Sequence, residues 1–370
     1  MKITIVQGAF FPVPPERGGA VERFWDAIGR ELAKRGHGVT HFSRSWPGKP
    51  DEEILDGVRH RRIEGFDQPL GGIRNKVLDW IYTRRVCREL PESDIVVSNT
   101  FWLPMLISPR HGKLVVHVAH YPQGQHRWYR KAVCFQAVSQ PVGRELRAQL
   151  PKKWEDRVVV IPNAVPAPAL SGHPSREKVI LYAGRIHPEK GLHLLVDAFL
   201  RVRSRWPEWR LCLRGAWESK GGGGGESYRS RLEAMIGPAG NAVELAEPIY
   251  DYRKLCEEYA RAACLAYPSL ASRGETFGLA PLEAMSCGCP VLLSRLACFE
   301  DYLVPGENGW VFDHDRPGTV DALAGILEEI MGNEGERVRR GDLARKTAAE
   351  FSVPKVADRF EVLFQEHVCR

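Results

Sequence analysis

The sequence predicts an α/β protein of two domains, each a doubly wound parallel sheet. Three observations carry this. At 370 residues the chain is long enough for two full cores. Apolar, strand-like runs alternate with helical periodicity in both halves, the βαβ pattern that builds parallel sheets. Between the halves, Pro162 to Pro174 repeats Pro and Ala in the manner of a linker.

In the first half, residues 2–7 form a strand and Gly8 to Gly19 a loop rich in Gly and Pro. Ala20 to Arg35 is an amphipathic helix, with Val21, Phe24, Ile28 and Leu32 on one face, and Val39–Phe42 is the next strand. Gly18 and Gly19 stand directly at the helix start, where two bare amides can face an anion. A helix start that only needs pliable backbone is the plainer alternative. Residues 71–90 read as a basic amphipathic helix. Its Ile73, Val77, Trp80 and Ile81, with Arg84, Arg85 and Arg88, suit either a membrane surface or packing on the core with the arginines outward. Further strands are expected at 94–97, 114–119, 137–139 and 158–163. His120 falls at the carboxyl end of the 114–119 strand, where open α/β sheets keep their ligand crevice. His117 lies mid-strand and reads as a packing residue.

The second half restarts the pattern at Val179. Arg185 and Lys190 share a loop between strand and helix, so a planar fork and a point charge can reach one diphosphate. Strands follow at 210–215, 242–245 and 264–267, with a helix over 251–262. The five glycines Gly221 to Gly225 read as a mobile loop near the crevice. Val291–Leu293 brings a late strand, 306–312 a turn into another, and Pro354 to Cys369 a last helix with Ser352 as a candidate cap.

The chemistry concentrates between Glu275 and Pro290. A short helix is expected to start near Gly278, at the carboxyl end of a strand, and to stop at Gly288 and Pro290. Its first amides are unpaired and carry partial positive charge, which suits a phosphate. Glu275 lies before this helix and Glu283 one turn into it. A phosphate repels carboxylates, so both must meet something else on the ligand, and sugar and ribose hydroxyls are the natural donors.

Composition is that of an ordinary globular protein. No apolar run approaches the ~18–20 residues of a membrane span. The amino end runs straight into a strand, so no signal peptide is expected. Nine scattered cysteines suit reduced core residues in a cytoplasm, and Cys287 and Cys289 are too close for a zinc pair. Residues 1–165 hold 26 Lys and Arg against 17 Asp and Glu, whereas the remainder holds 26 against 29. A basic first half suggests an anionic partner, such as a membrane surface or a phosphorylated acceptor, or simply a solvated basic face.

Glu275-Thr-Phe-Gly-Leu-Ala-Pro-Leu-Glu-Ala-Met285 resembles the signature of the retaining glycosyltransferases of the GT-B fold, family 4 (glycosyl transferases group 1). Ala183-Gly-Arg185, followed by Pro188-Glu-Lys-Gly191, resembles that family's pyrophosphate loop. The resemblance covers nearly the whole chain and is tighter in the second half. It implies two Rossmann-like, doubly wound parallel-sheet domains facing across a cleft. Residues 1–165 would bind the acceptor, with 354–370 crossing back onto them, and 166–353 would bind the donor.

The donor implied is a nucleotide-diphosphate sugar, UDP- or GDP-linked, as co-substrate, with no other cofactor and no metal. Arg185, Lys190 and the segment Thr276, Phe277, Gly278 and Leu279 would hold it, with Glu283 on the ribose hydroxyls and Gly18 and Gly19 near the donor phosphate. The catalytic set would be His120, Glu275, Arg185 and Lys190, with His120 near the sugar and Glu275 on it. Anomeric configuration would be retained by same-face attack, so no nucleophile is assigned. The acceptor would be a hydroxyl of a glycan, a lipid-linked or cell-envelope precursor or a small molecule, with peripheral contact at the inner face of a membrane and no nucleic acid.

Two departures stand out. Asn163-Ala164 replaces the family's Asn-Gly, and Arg214-Gly-Ala-Trp217 replaces its small Gly-Asp-Gly turn, which leaves base contacts to the region of Glu247 to Tyr250. A nucleotide-sugar epimerase or hydrolase on the same fold, and a non-catalytic sugar-nucleotide-binding protein, remain as alternatives. The absence of G-x-G-x-x-G after a strand argues against a Rossmann dehydrogenase.

Overall fold

The computed structural model describes residues 1–15, 19–67, 72–170, 172 and 175–369. The chain divides into two compact units, Met1–Ala164 with Val353–Arg370, and Val165–Ser352. Each is a parallel sheet layered with helices.

The first unit runs β1 (Lys2–Val6), α1 (Ala20–Lys34), β2 (Gly38–Arg44), β3 (Glu52–Leu55), β4 (Val58–Ile63), α2 (Ile73–Glu89), β5 (Ile95–Ser98), α3 (Leu103–Leu106), β6 (Lys113–Val118), β7 (Ala132–Ala137), α4 (Gln140–Gln149) and β8 (Val158–Val160). Its eight strands lie in the order β3-β4-β2-β1-β5-β6-β7-β8, and only β3 runs antiparallel, against β4. The second unit runs β9 (Glu177–Ala183), α5 (Leu192–Val202), β10 (Arg210–Arg214), α6 (Gly225–Ile236), β11 (Val243–Ala246), α7 (Tyr252–Arg261), β12 (Ala262–Tyr267), α8 (Leu279–Ser286), β13 (Val291–Ser294), β14 (Gly309–Phe312), α9 (Thr319–Gly332) and α10 (Glu334–Ala349). Its six strands are all parallel, in the order β11-β10-β9-β12-β13-β14. The central strands are apolar on both faces because helices cover both, as β12 shows by being buried throughout.

The last helix, α11 (Val353–Val368), belongs to the first unit. Its Phe360 ring lies 4.9 Å from Trp25 and 5.9 Å from Phe24 of α1. At the end of α1, Arg35 reaches Asp358 (2.6 Å), Glu361 (3.0 Å) and the Pro354 carbonyl (2.8 Å). Trp25, absent from the face expected for α1, is fully buried with Phe24, Ile28 and Leu32.

Several expectations shift. The strand expected at 137–139 is the end of β7, and Ser139 instead caps α4 by accepting from the Val142 amide. The strand expected over 158–163 stops at Val160, whereas the turn from Gly306 leads into a late strand at Gly309, as expected. The β3–β4 hairpin was not anticipated, although its turn, Asp56-Gly57, has positive φ at both residues as a two-residue hairpin turn requires. No described helix is long and apolar enough to cross a membrane.

Among the histidines buried in the first unit are His41, His60, His117 and His126. The rings of His41 and His60 stack 5.8 Å apart, and Gln7 Nε2 lies 3.2 Å from His41 Nε2. His117 pairs through Nδ1 with Gln136 and stacks on Phe24, and His126 packs on Tyr129 and Phe135. Loss of water around them lowers their pKa values, to about 4 for His60, His117 and His126, and His60 is held down further by Arg62. His41 is also driven down, by burial first and then by His60 and Arg62. All four are neutral in the folded protein at neutral pH, whereas the unfolded chain protonates near pH 6.5. Their contribution is therefore complete above that value and is lost as pH falls towards 4. The melting temperature should fall steeply between pH 6.5 and pH 4, and His60→Leu should make that fall shallower. An unchanged slope in the variant would clear His60 as a source.

Candidate functional site

The site is built at the carboxyl ends of β9 and β12, which are neighbours in the second sheet. After β9 the chain passes Gly184 and Arg185, makes a short helical turn over Pro188–Lys190, and enters α5. After β12 it passes Pro268 and Ser269 and reaches Glu275 before α8. The two loops are joined by an ion pair, Lys190 Nζ to Glu275 Oε2 at 2.6 Å, with both side chains largely buried.

Two further donors point at the same oxygen. The Tyr267 hydroxyl donates at 3.2 Å and the Ser269 hydroxyl at 3.4 Å. Burial, and then the Glu275 charge, pushes the Tyr267 phenol well above its usual pKa, so it stays a donor. The Lys190 ammonium also sits 5.4 Å from the centre of the Tyr267 ring. Lys190, Tyr267 and Ser269 thus converge on the single oxygen Oε2 of Glu275. Tyr267 and Ser269 were not singled out from the sequence, although Tyr267-Pro-Ser269 closes a strand immediately before the loop that carries Glu275.

Arg185 is half exposed. Its guanidinium donates to Glu189 Oε1 at 3.0 Å and to the Gly222 carbonyl at 2.5 Å, while Tyr182 donates to its backbone carbonyl at 2.7 Å. The glycine run, expected as a mobile loop, has backbone partners that the sequence did not reveal. The amides of Gly222, Gly223, Gly224 and Gly225 donate to the carbonyls of Ser219, Glu218, Ile186 and Trp217 at 2.8–3.0 Å. The run is wound into a turn against the Arg185 loop, and a Cβ on Gly223 would lie 2.2 Å from the Trp217 backbone.

Gly278 sits at φ 77° immediately before α8, where a Cβ would meet the Phe299 ring at 2.4 Å. The Tyr302 hydroxyl donates to the Gly278 carbonyl at 3.0 Å, which fixes the start of the helix. Thr276 and Leu279 are partly exposed beside it. Phe277 was expected only as part of the donor-holding segment. Its ring is buried against Tyr302 and Phe351, so only its backbone is left for a ligand. Glu283 lies one turn into α8 and is buried.

In the first unit, His120 lies exposed just beyond β6, and partial loss of water lowers its pKa. Gly18 lies outside the described residues. Gly19 precedes α1 at φ 93°, and a Cβ there would lie 2.4 Å from Glu22 Oε2. Glu22, also not anticipated, is a buried acid in the first turn of α1 whose pKa burial raises. Among the described residues no group of three or more His, Cys, Asp or Glu side chains is arranged to hold a metal ion.

The family model for "Glycosyl transferases group 1" matches residues 168–347, and that for "Glycosyltransferase Family 4" matches residues 18–167. The chain is similar to the D-inositol 3-phosphate glycosyltransferase of Corynebacterium jeikeium, with 31% identity over 53% of this chain and 45% of that protein. It is also similar to the phosphatidyl-myo-inositol mannosyltransferase of Mycobacterium tuberculosis, with 30% identity over 55% of this chain and 56% of that one. In these two alignments the chain thus spans about half the length of its curated relatives. The solved structure of sucrose-phosphate synthase from Thermosynechococcus elongatus superposes with a TM-score of 0.77 at 20% identity, over 99% of this chain and 98% of that one. At that identity the likeness establishes the shared two-domain GT-B fold.

Removing one partner of a buried pair strands the other charge. Lys190→Ala should therefore destabilise the second unit by about 3–5 kcal/mol. Lys190→Met combined with Glu275→Gln, which removes both charges, should cost distinctly less. Urea unfolding of the two variants measures the difference, and equal losses would show that the pair is not coupled.

Proposed function

The chain belongs to the family 4, group 1 glycosyltransferases, and we propose that it transfers a sugar from a nucleotide-diphosphate sugar to a hydroxyl acceptor with retention of configuration. The observation that carries this reading is the convergence of Lys190, Tyr267 and Ser269 on one oxygen of Glu275, beside the amides that open α8. A diphosphate suits Lys190, Arg185 and those amides, which together supply positive charge without a metal ligand set. As the glycosidic bond lengthens, negative charge grows on the leaving diphosphate, and fixed donors stabilise it more than they stabilise the ground state.

Glu275 has the complementary task. With Oε2 held by three donors, Oε1 is left to accept from a sugar hydroxyl and orient the ring. Glu283, farther along α8, suits the ribose hydroxyls. His120 is the first-unit residue we assign to the sugar, and being neutral at pH 7 it can donate or accept. The acceptor we favour carries phosphate or is lipid-linked, because the first half of the chain is basic. The names of the Corynebacterium and Mycobacterium relatives, both directed at phosphorylated inositols, support the same class.

A thermal-shift screen against UDP, GDP, ADP and TDP, without added metal, tests the donor half. A ligand at ~100 times its dissociation constant adds about 2.7 kcal/mol of stability. One nucleotide family should give that shift, and Arg185→Ala should weaken it by about 10–100-fold in affinity. No shift with any of the four would count against the reading. Tyr267→Phe keeps the ring and removes one donor to Glu275. Turnover should drop by about ten-fold or more while nucleotide affinity stays within a few-fold. Loss of affinity with unchanged turnover would place Tyr267 in ground-state binding instead.

A further inference from the structure

Helices α7 and α8 pack side by side in the second unit, and a cysteine stands on each side of their contact. Cys256 is on α7 and fully buried, and Cys287 closes α8 as its capping residue. Both are free thiols. The Cys287 thiol donates to the Cys256 sulfur, which also accepts from the Ala169 amide. The Tyr252 hydroxyl, which bonds the Pro166 carbonyl at 3.1 Å, lies against the same sulfur. These contacts, that with Cys287 first, outweigh burial and hold the Cys256 pKa down to about 6, whereas the bond to Cys256 drives that of Cys287 up. One proton is thus shared between two sulfurs, with the charge on Cys256.

Other buried cysteines are placed differently. Burial raises the thiol pKa of Cys134, Cys212, Cys264, Cys289 and Cys298, which is the behaviour of inert core residues. Cys289, two residues beyond Cys287, turns its sulfur to the Ala262 and Pro290 carbonyls at 3.7 and 3.5 Å. Cys287 keeps 7% of its surface exposed and lines an open cleft with Leu170, Arg176, Ser286 and Arg345. A small polar reagent entering that cleft meets one sulfur of the pair.

We propose that Cys256 and Cys287 are a redox-active dithiol, which hydrogen peroxide oxidises to a disulfide, and that this bond weakens donor binding at the other end of α8. Cys287 passes its proton to Cys256, and its thiolate attacks one peroxide oxygen. The O–O bond breaks, the departing hydroxide takes up a solvent proton and leaves as water, and Cys287 holds a sulfenic acid. The Cys256 sulfur then attacks the sulfenic sulfur and gives up its proton, and a second water departs as the S–S bond forms. Two electrons pass from the sulfurs to the peroxide. Thiols in hydrogen-bond contact stand well beyond the ~2.05 Å of a disulfide, so forming one draws the end of α8 towards α7. Cys287 fastens that end, its amide bonding the Glu283 and Ala284 carbonyls at 3.3 and 3.1 Å. A shift there is passed to Glu283 and to the opening amides through a helix of only eight residues. The dithiol stands apart from the proposed function, and only the effect on donor binding rests on that reading.

Treating the reduced protein with hydrogen peroxide, alkylating the remaining thiols after unfolding and mapping the peptides by mass tests it. Cys256 and Cys287 should be recovered joined to each other, and dithiothreitol should return both as thiols. In Cys256→Ser the reaction should stop at a sulfenic acid on Cys287, trapped by dimedone. Recovery of both cysteines as thiols from the unaltered chain, or of either joined elsewhere, would overturn the proposal whether or not the variant folds. The nucleotide-induced thermal shift reads the consequence. Nucleotide affinity should fall about ten-fold on oxidation, within the usual range of coupling between sites, and recover on reduction. In Cys287→Ser peroxide should leave the shift unchanged. An oxidised protein that binds nucleotide as tightly as the reduced one would sink the control over donor binding. Absence of any shift in the reduced protein would count against the transferase reading instead, and the mapped disulfide would still stand.

Discussion

An ammonium held 2.6 Å from a carboxylate, both largely buried, is the constraint on which the second unit's candidate site depends. Removing two charges from water is expensive, and the loss is recovered only when geometry is good and other donors complete the shell. Here the shell is complete on one side, because Tyr267 and Ser269 supply the remaining hydrogen bonds to the same carboxylate oxygen. The arrangement requires β9 and β12 to be adjacent, since Lys190 and Glu275 come from the loops that leave those two strands. Sheet order thus dictates which side chains can meet, and the pair in turn holds two loops that contain few apolar anchors of their own.

The same economy runs through the rest of the site. Arg185 projects from a loop whose backbone is gripped by Tyr182 from one side and by the amide of Gly224, through the Ile186 carbonyl, from the other. Glycine is needed in that turn for proximity, as backbone meets backbone at distances no side chain would permit. At α8 the opening amides are aimed by Gly278, whose carbonyl is fixed by Tyr302 and whose missing side chain leaves room for Phe299. Positive groups held in place before charge develops need no rearrangement when it does, which is the physical content of electrostatic preorganisation.

Much of this was legible beforehand. Period-two and period-3.6 patterns located the alternating strands and helices, and Glu275, Gly278, Glu283, Arg185 and Lys190 stood out by residue type and spacing. What escaped notice depended on tertiary contact. Tyr267 looks like any strand residue until its hydroxyl is seen to reach a loop eight positions on. A glycine run signals freedom in a chain without partners, and only the fold reveals that four of its amides have found carbonyls. Phe277 sits inside a ligand-like motif yet turns its ring into the core. The amphipathic character of α2 was visible, but which of its residues face out was decided by the packing of Tyr82 and Val86.

The packing of α11 on α1 carries a consequence for how the protein comes into being. Trp25 and Phe24 leave the ribosome well before Phe360, which covers them. The whole of the second unit, Val165–Ser352, is synthesised in between. At ~5–20 residues per second that interval is roughly ten to forty seconds. The unit that starts first is therefore finished last, with an aromatic face uncovered throughout. Vectorial synthesis thus lets the second unit, continuous in sequence, gather all its residues before the first unit receives the helix that covers Trp25.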